Sequence, residues 1–354
     1  MSRSALDREA QSVVRACYSA GGDFDTVRCR LLHTLRKAVP FDAAFMACAD
    51  PDTLLFTSAF ADDSLIASRS RFLDNEFGAR PDVNRFVELA RARDPVASLD
   101  QDTNGKRPAS ARWREIMGPL GLGDELRVAL RVDGTAWGFL CLHRSGPSGF
   151  DANEMSILRK VAPHAAEAIR RTAVTSSNAS SEPAETPEAV ILVADQVVLA
   201  VGGAVREIEG VPLIAGRQLP LPLTAVARRL EAIETGGSGF DAPNAAIRMR
   251  TRTGALVSVH AARLRDASGG GPIVLTIAPA APAERSALLL AAHGLTPAQC
   301  RVAKLVLKGR TTGQIVGELR ISAHTVQDHL KAVFDKVGVR SRRELVIALM
   351  QSAH

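Results

Sequence analysis

The residues best placed to do chemistry lie late in this 354-residue chain, in Ser322-Ala323-His324-Thr325-Val326-Gln327-Asp328-His329-Leu330-Lys331. Val326, Leu330, Val333 and Val337 repeat at i, i+4, i+7 and i+11 and form one apolar helix face. Ala323, Gln327, Lys331 and Asp335 are left pointing outward, with Asp328 beside them. An amide, an ammonium and a carboxylate on the open side of a helix can meet base edges, or can be plain solvated surface. Charge discriminates between the two. Residues 285–354 carry 11 Lys/Arg against 4 Asp/Glu, while the other 284 residues carry 33 against 34. The whole basic excess sits on the last fifth of the chain, as phosphate binding requires and an ordinary helical bundle does not.

The flanking residues explain how such a helix is held. Thr296 suits an N-cap, Pro297 the first helical position, and Gln299 completes a capping box. Val302, Leu305 and Val306 give the helix that follows one apolar stripe, and Gly309 ends it. A short second helix over about 312–319 has Ile315 and Leu319 on one face. Arg320-Ile321-Ser322 leaves room only for a sharp turn, Ser322 caps the third helix and Gly338 stops it. A fourth helix begins at Ser341 and carries Leu345, Ala348 and Leu349. A tight turn between two helices sends the second into the major groove, where its early side chains face the bases.

Leu295-Thr296-Pro297, Gly309, Ile315, Leu319, Ile321-Ser322, His324-Thr325-Val326, His329-Leu330, Lys336, Gly338-Val339 and Arg340 together resemble the LuxR-type (GerE-type) helix-turn-helix. The resemblance covers about 295–350 and implies a four-helix unit that binds double-stranded DNA as a dimer. It implies base-facing roles for Gln327, Asp328 and Lys331, and backbone contacts around Thr311, Thr325, Lys336 and Arg340. It places the fourth helix, with Leu345 and Leu349, at the dimer contact. Leu345 also fits the module's own core. The chain departs from the family pattern at Gln299, where an acidic residue is common, and at Gln327, where a lysine is common. Gln327 can bond adenine at two points, and Asp328 can accept from the cytosine amine. His324 and His329 read as a backbone contact and a packed histidine, since no cysteine or carboxylate completes a metal set around them.

The rest of the chain reads as the input to this output. No run approaches 18 apolar residues, and Met1-Ser2-Arg3-Ser4 opens no hydrophobic segment, so a cytoplasmic chain is expected. Five cysteines without a CxxC fit a reducing compartment. Residues 172–188, rich in Ser, Ala, Pro and Glu, and 279–286, rich in Pro and Ala, read as spacers. They divide the chain into 1–171, 189–278 and 287–354.

In the first segment Leu126–Val132 alternates, Asp133-Gly134 is a hairpin turn and Ala136–His143 pairs back. Asp151 and Glu154 cap a long helix with Met155, Leu158, Ala162, Ala165 and Ile169 inward. Gly138-Phe139-Leu140-Cys141-Leu142, Phe150-Asp151, Glu154, Leu158 and Ala168-Ile169 resemble the end of a GAF domain. That resemblance implies a small-molecule pocket between sheet and helices. The alternative is a dimerisation domain with a filled core. In the second segment two strands, a helix over Leu223–Ile233 and three more strands, with Arg252-Thr253-Gly254 before the long one, resemble a PAS domain. The expected architecture is therefore α+β sensory domains, GAF-like then PAS-like, followed by an all-α four-helix helix-turn-helix domain.

Other classes fit poorly. Asp195 has no acidic neighbour and no lysine lies between Lys160 and Lys304, which excludes a phosphoacceptor receiver. Neither a Walker A loop nor a nucleophile-with-base signature occurs. Asp62-Asp63 and the pair Asp100 and Asp102 read as solvated loop acids rather than catalytic carboxylates. His33, His143 and His164 are scattered, so ordinary roles outweigh haem or metal ligation. One Tyr and two Trp residues leave little of a homoserine-lactone pocket. The expectation is a non-enzymatic transcription regulator with no identified cofactor beyond a small-molecule effector of unknown structure. Its expected partners are DNA, a second copy of the chain and RNA polymerase. The alternatives are first domains that only dock a partner protein, or that act as an enzyme on a small molecule.

Overall fold

The computed structural model describes residues 3–18, 23–78, 80, 82–175, 188–236, 244–251, 254–265 and 270–350. Residues 176–187 of the first spacer and the Arg252-Thr253 part of the turn motif lie outside them. The chain divides into two compact units, Met1–Thr172 with Glu185–Pro279, and Ala173–Ala184 with Ala280–His354.

The first unit opens with α1 (Arg3–Tyr18), α2 (Phe24–Ala38), β1 (Ala43–Ala49) and β2 (Phe56–Ala61). A covering segment follows, with α3 (Asp63–Ile66), α4 (Arg69–Phe77), α5 (Phe86–Arg91), β3 (Val96–Ser98), α6 (Leu99–Asp102) and a π-type turn over Trp113–Met117. Then come β4 (Leu122–Val132), β5 (Thr135–Ser145) and α7 (Ala152–Thr175). The sheet is antiparallel in the order β2-β1-β5-β4-β3. Its longest hairpin turns at Asp133 and Gly134, with φ of 52° and 78°, the left-handed pair that an Asp-Gly turn provides. Asp151 Oδ1 accepts from the backbone N–H of Glu154 at 2.8 Å, and Glu154 Oε2 accepts from that of Asp151 at 2.8 Å. This box starts α7, whose Met155, Leu158, Ala162, Ala165 and Ile169 are all buried.

The two faces of this sheet differ in chemistry. Leu126, Val128, Leu140 and Leu142 share one face, where Ile169 of α7 closes on Gly138. Glu125, Arg127, Ala129, Phe139, Cys141 and His143 share the other, together with Phe45 of β1. The alternation in Leu126–Val132 points to one buried and one wet face, but here both are buried. Arg127 Nη1 donates to Glu76 Oε2 at 2.7 Å, and its guanidinium lies over the Phe86 ring at 4.4 Å. Arg112 Nε donates to Glu125 Oε2 at 2.7 Å, and its other nitrogens reach Asn75 Oδ1 and the Val83 carbonyl. Phe45, Phe56, Phe72, Phe86 and Phe139 fill the space between the sheet and the covering helices.

The same unit continues with β6 (Ala189–Ala194), β7 (Val197–Gly203), a small hairpin of β8 (Glu207–Ile208) and β9 (Val211–Pro212), and α8 (Leu221–Glu234). It ends with β10 (Ala246–Arg250), β11 (Leu256–Arg263) and β12 (Ile273–Pro279). The second sheet is antiparallel in the order β10-β11-β12-β6-β7. Counted in order of appearance, the strands of both sheets run 2-1-5-4-3. The β8–β9 hairpin and β3 went unforeseen, because strands of two or three residues carry no readable period.

The spacing of the segments suggests two sensor modules joined by a loose tether, but the structure packs them into one unit. Arg248 of β10 reaches the β1–β2 turn. Its Nε donates to Asp50 Oδ2 at 2.9 Å, and its Nη2 donates to Asp50 Oδ1 at 2.6 Å and to Asp52 Oδ2 at 2.7 Å. Asp50 is 2% exposed and Arg248 8%. Arg69 Nη2 donates to the Leu219 carbonyl at 2.7 Å, and Arg228 pairs with Asp74 at 2.7 Å, so α4 is tied to α8 and to the residues before it.

The second unit holds α9 (Pro282–Ala292), α10 (Pro297–Leu307), α11 (Thr312–Leu319), α12 (Ala323–Val337) and α13 (Arg342–Met350). The expected spacer at 279–286 is therefore corrected, since most of it is the start of α9. Pro282 takes the first helical position, and Glu284 Oε2 accepts from the Ala281 N–H at 2.9 Å. Leu288, Leu289 and Leu290 are buried, so the helix forms on its packing rather than on its Pro/Ala composition. The expected four-helix module thus has a fifth helix ahead of it.

Breaking a buried ion pair by removing one partner leaves an uncompensated charge and costs about 3–5 kcal/mol. Arg248→Met in the full chain is expected to destabilise the first unit by that order, read as a lowered midpoint in urea unfolding. Arg263→Ala removes a half-exposed pair with Glu234 and should cost under about 1 kcal/mol. Equal effects from the two variants would show that the Asp50–Arg248 pair does not hold the sheets together.

Candidate nucleic-acid interface

The recognition helix is fixed at both ends and along one side. Ser322 Oγ accepts from the Thr325 N–H at 3.0 Å, and Gly338, with φ of 77°, ends α12 in the left-handed region. Val326, Leu330 and Val333 are buried in a core shared with Leu289, Leu295, Val302 and Ile315. The opposite side leaves Gln327, Asp328 and Lys331 exposed, within an arc of about 100° around the helix axis. His324 is exposed and lies 3.5 Å from Asp328, a pair that attracts only when the imidazole is protonated. His329 is half-buried.

Helix α11 is positioned by a second capping box. Thr311 Oγ1 accepts from the Gln314 N–H at 3.3 Å, and Gln314 Oε1 accepts from the Thr311 N–H at 2.9 Å. This box is legible as Thr311-x-x-Gln314, beside the one read at Thr296 and Gln299. The turn between α11 and α12 rests on Arg320, a non-glycine with φ of 54° and ψ of 44°. Arg342 ties the fourth helix of the motif back to this region, donating to the Arg310 carbonyl at 3.0 Å and to Thr312 Oγ1 at 2.8 Å. Neither role is visible in residue spacing, because both depend on a turn closing in space.

The expected backbone contacts divide. Arg340 is exposed and Thr325 half-buried beside the α12 cap. Lys336 is exposed but not idle. Its Nζ donates to the Gly294 carbonyl at 2.7 Å and to Gln299 Oε1 at 3.0 Å, joining the end of α12 to the α9–α10 turn. A lysine has three donors, so one remains for a phosphate.

The side chains expected at the dimer contact pack inward. Leu345 and Leu349 are both 0% exposed and belong to the module's own core. Helix α9, absent from the sequence reading, sits against α13, and its leucines share that core. The large apolar residue left outside on α13 is Ile347, at 44% exposed. Basic groups are spread over the module, with Lys308, Arg310, Arg320, Lys331, Lys336, Arg340 and Arg343 exposed or half-exposed.

Among the described residues no helix is long and apolar enough to cross a membrane. Several known proteins resemble parts of the chain. Residues 23–169 match the family model for the GAF domain, which begins after α1. The GAF domain of a phosphoenolpyruvate-protein phosphotransferase from Coxiella burnetii aligns with 48% of this chain and 96% of its own, at 16% identity and a TM-score of 0.35. The VqsR LBD domain from Pseudomonas aeruginosa aligns over 48% and 96%, at 17% identity and a TM-score of 0.31. The C-terminal module gives the stronger match. The spore germination protein GerE of Bacillus subtilis is 35% identical over 57 residues, which span 16% of this chain and 77% of that protein. Residues 293–349, which run from the end of α9 almost to the end of α13, match the family model described as bacterial regulatory proteins, luxR family, and the chain belongs to that family.

Proposed function

We propose that this chain is a sequence-specific, DNA-binding transcription regulator, dimeric on its operator and cytoplasmic, whose first unit receives the controlling signal. One observation carries the reading. Gln327, Asp328 and Lys331 stand on the open side of a helix whose other side is locked into the core, in a segment with 11 Lys/Arg against 4 Asp/Glu. Lys331 donates to guanine or phosphate acceptors, Gln327 pairs with adenine, and the Asp328 carboxylate accepts from a cytosine amine while repelling misplaced phosphates. Thr311, Thr325, Arg340 and the free proton of Lys336 hold the phosphate backbone.

The middle segment fits a PAS-like module. Its sheet repeats the strand order of the GAF sheet, and α8 packs on β11 and β12. Sensing then means that a ligand or partner binds one arrangement of the first unit more tightly than another. A second reading, in which the first unit only dimerises or docks a protein, draws support from the Phe45–Phe139 cluster, which fills the space where a small molecule would sit.

Lys331→Ala is expected to cost about 1–3 kcal/mol of operator binding and to relax sequence preference at one position, read by anisotropy across a duplex library. Arg340→Ala should weaken all duplexes alike and reduce the salt slope by about one unit. Wild-type affinity and preference in both variants would refute the assignment of α12.

For the dimer, Ile347→Asp is expected to abolish cooperative binding to a two-half-site operator while leaving the melting curve of the chain unchanged. Leu345→Asp buries a charge in the module core and should unfold the module instead. A folded Leu345→Asp chain, or an Ile347→Asp chain with intact cooperativity, would contradict this division of α13.

A further inference from the structure

The inner face of the GAF sheet brings together three side chains that residue spacing leaves scattered. Cys141 and His143 stand at i and i+2 on β5, and Glu125 of β4 is the register partner of His143. Cys141 Sγ lies 3.1 Å from Glu125 Oε1 and 3.4 Å from His143 Nε2. One donor atom from each residue falls within 4.8 Å of the others, and all three residues are buried. The backbone ladder of adjacent antiparallel strands fixes this spacing.

We propose that Glu125, Cys141 and His143 form a binding site for a divalent cation of borderline softness, zinc being the best fit.

The donor set supports this. One thiolate, one imidazole and one carboxylate suit zinc rather than magnesium or calcium. Around a tetrahedral zinc, neighbouring S, N and O donors stand about 3.5 Å apart, close to the two distances measured here from Cys141 Sγ. The carboxylate is also divided for the task. Its Oε2 takes Arg112 Nε and faces Arg127 Nε at 3.0 Å, while Oε1 accepts from the Cys141 thiol. The guanidiniums thus orient the ligand without occupying its coordinating oxygen, as outer partners of metal ligands do.

The charges around the cluster favour a cation. Among the described residues, Glu125, Glu76 and Asp82 pair with two guanidiniums, Arg112 and Arg127. A divalent ion that displaces the thiol proton would leave four positive and four negative charges in this buried group. Cys141 Sγ donates to Glu125 Oε1, so a cation taking this place must displace the thiol proton. Binding is then Cys–SH plus the cation giving a sulfur–metal bond, with the proton released to solvent. Among the described residues no second group of three such side chains occurs, and His164 Nδ1 bonds the Tyr18 hydroxyl.

The test uses the full chain, loaded with zinc and desalted, with metal measured by elemental analysis and native mass spectrometry. About one zinc per chain is expected. Folded Cys141→Ser and His143→Gln chains should bind at least about tenfold more weakly, while Cys29→Ser should match wild type. X-ray absorption of the wild-type zinc complex should show one sulfur with nitrogen and oxygen neighbours, a readout that does not depend on either variant folding. A metal-free chain at excess zinc, a shell without sulfur, or undiminished zinc in the folded Cys141→Ser and His143→Gln variants would each overturn the site.

Discussion

A guanidinium cannot stay buried without partners, and two of them, Arg112 and Arg127, set the terms of the first unit. Glu125 meets both, and Glu76 meets Arg127 from α4. Burial alone would raise the Glu125 carboxyl, but the two arginines hold it far below the ordinary range. The covering segment is bound to the sheet by this group. Arg112 enters from the π-type turn, and its backbone N–H donates to Asp82 at 2.7 Å. Asp82 in turn takes Asn75 Nδ2 and Ser110 Oγ. Loss of one partner would therefore loosen α4, the 82–85 loop and the π-type turn together.

The same logic extends to the middle segment. Asp50 lies at the end of β1, on the strand that pairs with β5, and receives Arg248 from β10. The two sheets are joined by this polar contact and by α8, which touches β2 on one side and β11 on the other. Two modules packed into one compact unit differ from two beads on a flexible chain.

Legibility in the sequence followed locality. The Asp133-Gly134 hairpin, the Asp151–Glu154 cap, the inner stripe of α7 and the whole order of α10 to α13 depend on residues a few positions apart, and each was readable. So was the exposure of Gln327, Asp328 and Lys331. What was not readable depended on distant partners. Arg127 alternates like a solvent-facing residue, yet Glu76, 51 positions away, draws it inside. Leu345 fits a core and a dimer seam equally well until α9 is known to cover it. The Pro/Ala-rich start of α9 reads as a spacer because its helix depends on three buried leucines and not on its opening composition. Cys141 and His143 looked unrelated to Glu125 because only the β4–β5 register makes them neighbours.

Gln299 stands where the family commonly has an acid, and its single side-chain oxygen accepts from both the Thr296 N–H and Lys336 Nζ. A neutral amide in that place makes the tether between α10 and the end of α12 a dipole–charge contact rather than an ion pair. Mobile ions screen separated charges far more than they disturb a short hydrogen bond. The angle at which the reading helix is carried is thereby uncoupled from ionic strength, even though its grip on phosphate is not. Changing salt would tune how tightly this module holds DNA while leaving unchanged the surface it presents.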